Sequence, residues 1–159
     1  MRTRALAALV LTLPLLFACR QKTAWPPQPV TVHLGEDTCS ACRMIVSDPH
    51  FGAQLHSKNG KVEIFDDLGC LVEKHAGKAL PTESIFVRSF KDGSWVRGDR
   101  AGILQAAGIQ SPMGYGLAGF AEPGEANLES VNYPGAKTYS VEQILQTQLR
   151  NPHEQGRGQ

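Results

Sequence analysis

The chain has 159 residues, 42% hydrophobic and 19% charged, with 16 Lys+Arg against 15 Asp+Glu and a formal charge of +1. A near-balanced chain with no basic run lacks the cationic footprint that nucleic-acid binding needs, and that class is set aside. Only four cysteines are present, and beyond Met1 only two methionines, Met44 and Met113, so each sulfur calls for an explanation.

Arg2 and Arg4 precede an apolar run of thirteen residues from Ala5 to Phe17, then Ala18-Cys19, the layout of a secretory signal peptide. The run is short of the roughly 20 residues that span a bilayer. Leu16-Phe17-Ala18-Cys19 resembles the lipobox of bacterial lipoproteins, which implies cleavage after residue 18 and lipidation of Cys19. Arg20, rather than Asp, follows that cysteine, and the same resemblance then favours outer-membrane over inner-membrane retention. Removing residues 1–18 takes away Arg2 and Arg4, leaving 14 Lys+Arg against 15 Asp+Glu and a net charge of about −1. Residues 19–29, with Trp25, Pro26, Pro27 and Pro29, read as a lipidated tether, 30–150 as one domain, and 151–159 as a disordered tail.

Val30 to Leu34 alternates and predicts a first short strand. Gly35 to Cys42 reads as a loop in which Asp37 or Thr38 caps a turn, and Met44 to Val46 as a return to strand. Phe51 to His56 and Lys61 to Phe65 alternate on either side of Ser57-Lys58-Asn59-Gly60, a strong hairpin signal. Asp66-Asp67 then precede Leu68, Leu71, Val72 and His75 at helical spacing, ending at Gly77. Ser84 to Phe90 and Ser94 to Arg97 form a second predicted hairpin around Lys91-Asp92-Gly93. Ala101 to Ala107 is ambiguous between strand and helix, Met113-Gly114-Tyr115-Gly116 is a loop, and Leu117 to Phe120 a glycine-weakened strand. Glu122 to Val131 predicts a helix opening near Pro123, Lys137 to Tyr139 a strand, and Ser140 the start of a last helix over Glu142 to Leu149. The pattern strand, strand, helix, strand occurs twice, which predicts an α+β domain of two similar halves.

With Cys19 assigned to lipid, Cys39, Cys42 and Cys70 remain, an odd number for an oxidising compartment, so one thiol stays free, pairs between molecules or binds metal. Four readings of Cys39-Ser40-Ala41-Cys42-Arg43-Met44 compete. Cys39 and Cys42 could form a disulfide, structural or redox-active; a thioredoxin-like site places such a pair at a helix N-terminus, whereas β-branched Ile45 and Val46 follow here. They could be half of a zinc site, but Cys70 and the scattered histidines offer no recognisable second arm. Cys42, Met44 and Met113 could bind Cu(I), since thiolate and thioether donors select a soft ion, and an extended Arg43–Ile45 would project Cys42 and Met44 to one side. Or Met44 is core, Met113 fills a loop and the cysteines are a clip. Cys70, among apolar Leu68, Leu71 and Val72, reads as a buried structural thiol, and His50, His56 and His75 as surface or helix residues.

Cys19, Asp37-Thr38-Cys39-Ser40-Ala41-Cys42-Arg43-Met44, Phe65-Asp66-Asp67, and Ser111-Pro112-Met113-Gly114-Tyr115-Gly116 with Phe120 span most of the mature chain. In that combination the chain resembles the NosL family, lipoprotein accessory factors of nitrous oxide reductase maturation. The resemblance implies a membrane-anchored periplasmic Cu(I) metallochaperone without catalytic turnover, acting on apo nitrous oxide reductase and its membrane transporter and maturation complex. It also implies a fold similar to the organomercurial lyases, with two strand-strand-helix-strand halves. By position it assigns Cys42, Met44 and Met113 as Cu(I) ligands, with Cys39 a second thiolate or the redox partner of Cys42. Between cysteine and methionine the family usually has glycine, where this chain has Arg43. The alternatives are a periplasmic thiol-disulfide oxidoreductase acting through Cys39 and Cys42, and, on fold analogy alone, a carbon-mercury lyase using those thiols and Asp37.

Overall fold

Alternating side chains around Asn59-Gly60 close an antiparallel hairpin of β1 (Ala53–His56) and β2 (Val62–Phe65) in a computed structural model that describes residues 25–149. Its tight turn requires a positive φ at Gly60, +88°, and Ser57 N–H donates to the Lys61 carbonyl at 2.8 Å. The signal segment, Cys19 and the C-terminal tail lie outside the described residues. No helix among those described is long and apolar enough to cross a membrane.

Asp67 ends the hairpin by capping α1 (Leu68–Lys74), accepting from Gly69 N–H at 2.7 Å, and the chain leaves the helix through Gly77 at φ +71°. β3 (Ile85–Arg88) returns antiparallel to the free side of β1, and β4 (Trp95–Arg97) adds outside it, giving the order β2-β1-β3-β4. The second half repeats this plan with β5 (Gly102–Gln105), β6 (Leu117–Phe120), α2 (Pro123–Ser130) and β7 (Lys137–Ser140), in the order β6-β5-β7. In each half the first strand is central, flanked by its hairpin partner and by the strand that follows the helix. The expected α+β fold of two strand-strand-helix-strand halves is what the chain adopts.

The ambiguous alanine-rich segment resolves as strand because both faces of β5 are covered. Ile103 packs with Leu117, Val141 and Ile144 in the main core, and Leu104 packs the other way, with Ala118, Phe120 and Ala126 of α2. Burying both Ile103 and Leu104 completely outweighs the few tenths of a kcal/mol by which alanine favours helix. The last helix, α3 (Val141–Leu145), is shorter than expected. Ser140 and Gln143 form a capping box at its start, but Gln146 and Thr147 donate to carbonyls three residues back and tighten the chain out of the helix before Leu149.

Val30 to Leu34 is not a strand. The buried Gln54 carboxamide on β1 takes the place of a neighbouring peptide unit: its oxygen accepts from Val30 N–H at 2.9 Å and its nitrogen donates to the Val30 carbonyl at 2.7 Å. One side chain thus satisfies what a ladder would have satisfied, and no ladder forms. The two halves meet where Ser89 pairs with Gly119. A Cβ on Gly119 would lie 2.5 Å from the Arg88 carbonyl oxygen, so only glycine allows this approach.

Candidate metal centre

Three segments converge on one cavity. The first is the loop of Cys39 and Cys42, pinched at its base by the antiparallel pair Thr38 and Ile45, with Cys39 N–H donating to the Met44 carbonyl at 2.8 Å. Ser40 fastens this loop to β2: its N–H donates to the Ile64 carbonyl at 2.7 Å and its hydroxyl accepts from Ile64 N–H at 3.2 Å. Lys74 spans from α1 to the Ser40 carbonyl (3.0 Å) and to Glu63 (2.5 Å). The second segment is α1, which carries Cys70. The third is the loop before β6, which carries Met113 and Tyr115.

Cys39, Cys42 and Cys70 present sulfurs that all lie within 4.8 Å of one another, and all three are free thiols. Cys39 is fully buried and Cys70 nearly so, while Cys42 is partly open. Cys42, Cys70 and Met113 line a cavity of about 470 Å³, with Glu73, Lys74 and Tyr115 around them. Within the cluster the thiols differ. A hydrogen bond from the Cys70 thiol, and backbone N–H groups of Asp66, Ala41 and Cys42 directed at its sulfur, outweigh burial and bring Cys39 down to about 4, so it is a thiolate at neutral pH. Donating to that thiolate, together with burial, pushes Cys70 far up. Cys42 is raised too, chiefly by burial.

Soft donors with one preformed negative charge suit a soft cation. A closed zinc site would want four nitrogen or sulfur ligands, and among the described residues no histidine joins the cluster. His56 bonds Gln54, His50 lies beside Asp48, and His75 is buried against Phe65 and Glu63. The Cys39–Cys42 segment has no helix behind it, so the dipole that activates a thioredoxin-like cysteine is missing. Asp37, considered with those thiols, instead closes its own turn by accepting from His33 N–H at 2.8 Å.

Two expectations change here. Cys70 is not merely a core thiol; the fold brings it to the other two, which no sequence spacing announces. The extended geometry expected for Arg43–Ile45 is absent, because Arg43 has φ +68° and the backbone turns between Cys42 and Met44. Met44 is 56% exposed and is not among the residues lining the cavity. A left-handed arginine costs about 1–2 kcal/mol, against about 0.5–1 for the chain entropy of glycine. Arg43→Gly is therefore expected to raise the thermal midpoint by a few degrees, read by calorimetry of the apo protein.

No family model matches the chain, and no curated protein matches it by sequence. Among solved structures, the crystal structure of the copper chaperone NosL from Shewanella denitrificans superposes with a TM-score of 0.63 at 18% identity. The match covers 77% of this chain and 100% of that one. The chain thus has the fold of that copper chaperone, and it carries a three-cysteine cluster fit for metal binding.

Proposed function

We propose that this protein is a Cu(I) carrier of the periplasm, anchored to a membrane through lipid on Cys19, that delivers copper for maturation of nitrous oxide reductase and performs no catalytic turnover. The observation that carries the reading is the cluster of Cys39, Cys42 and Cys70, of which Cys42 and Cys70 line an open cavity together with Met113. Its thiolates bind the ion, the Met113 thioether caps it, and exposed Met44, two residues from Cys42, is the outer sulfur used during exchange with an acceptor. The apo-reductase and its membrane transporter and maturation complex are the proposed exchange partners. Transfer by ligand exchange leaves copper as Cu(I) throughout and needs no oxidant.

Protons give a test. At pH 7 Cys39 is already a thiolate, while Cys42 and Cys70 hold their protons, so loading one Cu(I) onto three sulfurs releases two. Because protons compete with the ion, affinity rises with pH, by about a hundredfold per unit between pH 5.5 and 7.5. Potentiometry during loading of the reduced protein reads the number directly; none released would refute binding through Cys42 and Cys70 as thiolates. Carrier behaviour is tested by release to a chelator: exchange predicts a rate that climbs with chelator concentration, whereas a storage site releases at a constant rate.

A further inference from the structure

Asp67 is fully buried, and its two oxygens face different parts of the chain. Oδ1 accepts from Gly69 N–H at 2.7 Å, in the first turn of the helix that carries Cys70. Oδ2 accepts from Met113 N–H at 3.0 Å, across 46 residues of sequence. The Ser111 side chain also hydrogen-bonds this carboxylate, and the Ser111 hydroxyl accepts from Gly116 N–H at 3.1 Å, so both ends of the methionine loop are tied to one acid. A helix cap alone would need one oxygen and a short polar side chain. A fully buried carboxylate is expensive, and its second oxygen is used on the backbone of the residue that lines the thiol cavity.

We propose that Asp67 is a positioning residue for metal binding: by tying the Met113 backbone to the first turn of α1, it sets the Met113 thioether against the Cys70 thiol. This deepens the copper-carrier reading and rests on it for its effect on affinity. The positioning itself is visible without metal. Groups that orient metal ligands change affinity by about 10–100-fold when lost, and that is the size expected here.

Asp67→Ser separates the two jobs, because a serine hydroxyl still caps Gly69 but is too short to hold Met113 as well. In the apo protein labelled with ¹³C-methyl methionine, the Met113 methyl signal is expected to shift. The exposed Met44 methyl serves as the internal reference and stays put. Cu(I) affinity is expected to fall 10–100-fold in Asp67→Ser, and by less than about threefold when the same change is made in a Met113→Leu background. An unmoved Met113 methyl overturns the proposal whether or not the protein binds copper. An equal affinity loss in both backgrounds overturns it as well, since it would mean that Asp67 acts only on general stability. If Asp67→Ser fails to fold, Asp67→Asn, which keeps one acceptor oxygen, is read by the same two measurements.

Discussion

Serine at position 42 is expected to weaken Cu(I) binding by about two orders of magnitude, and serine at position 70 by as much. Taking four-ligand structural zinc sites as a guide, which bind with about 10–16 kcal/mol, each ligand contributes ~3 kcal/mol, and 1.4 kcal/mol is a factor of ten. The Cys70 result is the informative one. If Cys70 were only a packed thiol, the near-isosteric Cys70→Ser would cost about 1 kcal/mol of stability and leave affinity alone. As a member of the cluster, within 4.8 Å of Cys39 and Cys42, it also supplies the proton that holds Cys39 as a thiolate. Cys70→Ala, which removes both the ligand and the donor, should therefore lower affinity and raise the Cys39 pKa together. Chelator competition and thiolate absorbance on the same variant read both effects, and a change in stability alone would remove Cys70 from the site.

Gly69→Ala is expected to destabilise the protein by about 3 kcal/mol, lowering the thermal midpoint by about 10 °C. Helix propensity argues the other way, since alanine inside a helix gains about 1 kcal/mol over glycine. Sterics wins by the distances: a Cβ on Gly69 would lie 2.1 Å from Tyr115 Cγ and 2.5 Å from its Cβ, atoms close to the backbone that cannot swing aside. The Tyr115 ring lies on this bare stretch of α1 and its hydroxyl donates to Glu73 farther along the helix. Displacing it moves the loop of Met113, so the same variant should weaken Cu(I) binding as well. A midpoint equal to or above that of the unmodified chain would contradict this packing.

Much of the architecture could be read from local chemistry. Asn59-Gly60 and Lys91-Asp92-Gly93 announce turns through backbone demands that few residues meet, and Asp67 with Gly77 marks both ends of α1. Local sequence is silent where a distant partner decides the outcome. Val30 alternates like a strand but is satisfied by the single Gln54 carboxamide, 24 residues away. Cys70 looks like core by its apolar neighbours, and only the folding of α1 against the Cys39 loop brings its sulfur to the other two. The signal that could have found it was the odd thiol count, with Asp66-Asp67 just before it and no partner in sequence. Asp67 itself reads as an ordinary helix cap, because its second oxygen works across 46 residues.

The proposed carrier function requires that this pocket bind one soft ion through its thiols. A competitive Cu(I) titration of the reduced protein against a chromophoric chelator tests it most directly, run beside a chain in which Cys39, Cys42 and Cys70 are all serine. The native chain is expected to withdraw one Cu(I) per molecule from the chelator, and the triple variant none. A native chain that leaves the chelator fully loaded, or a triple variant that competes equally well, would contradict it.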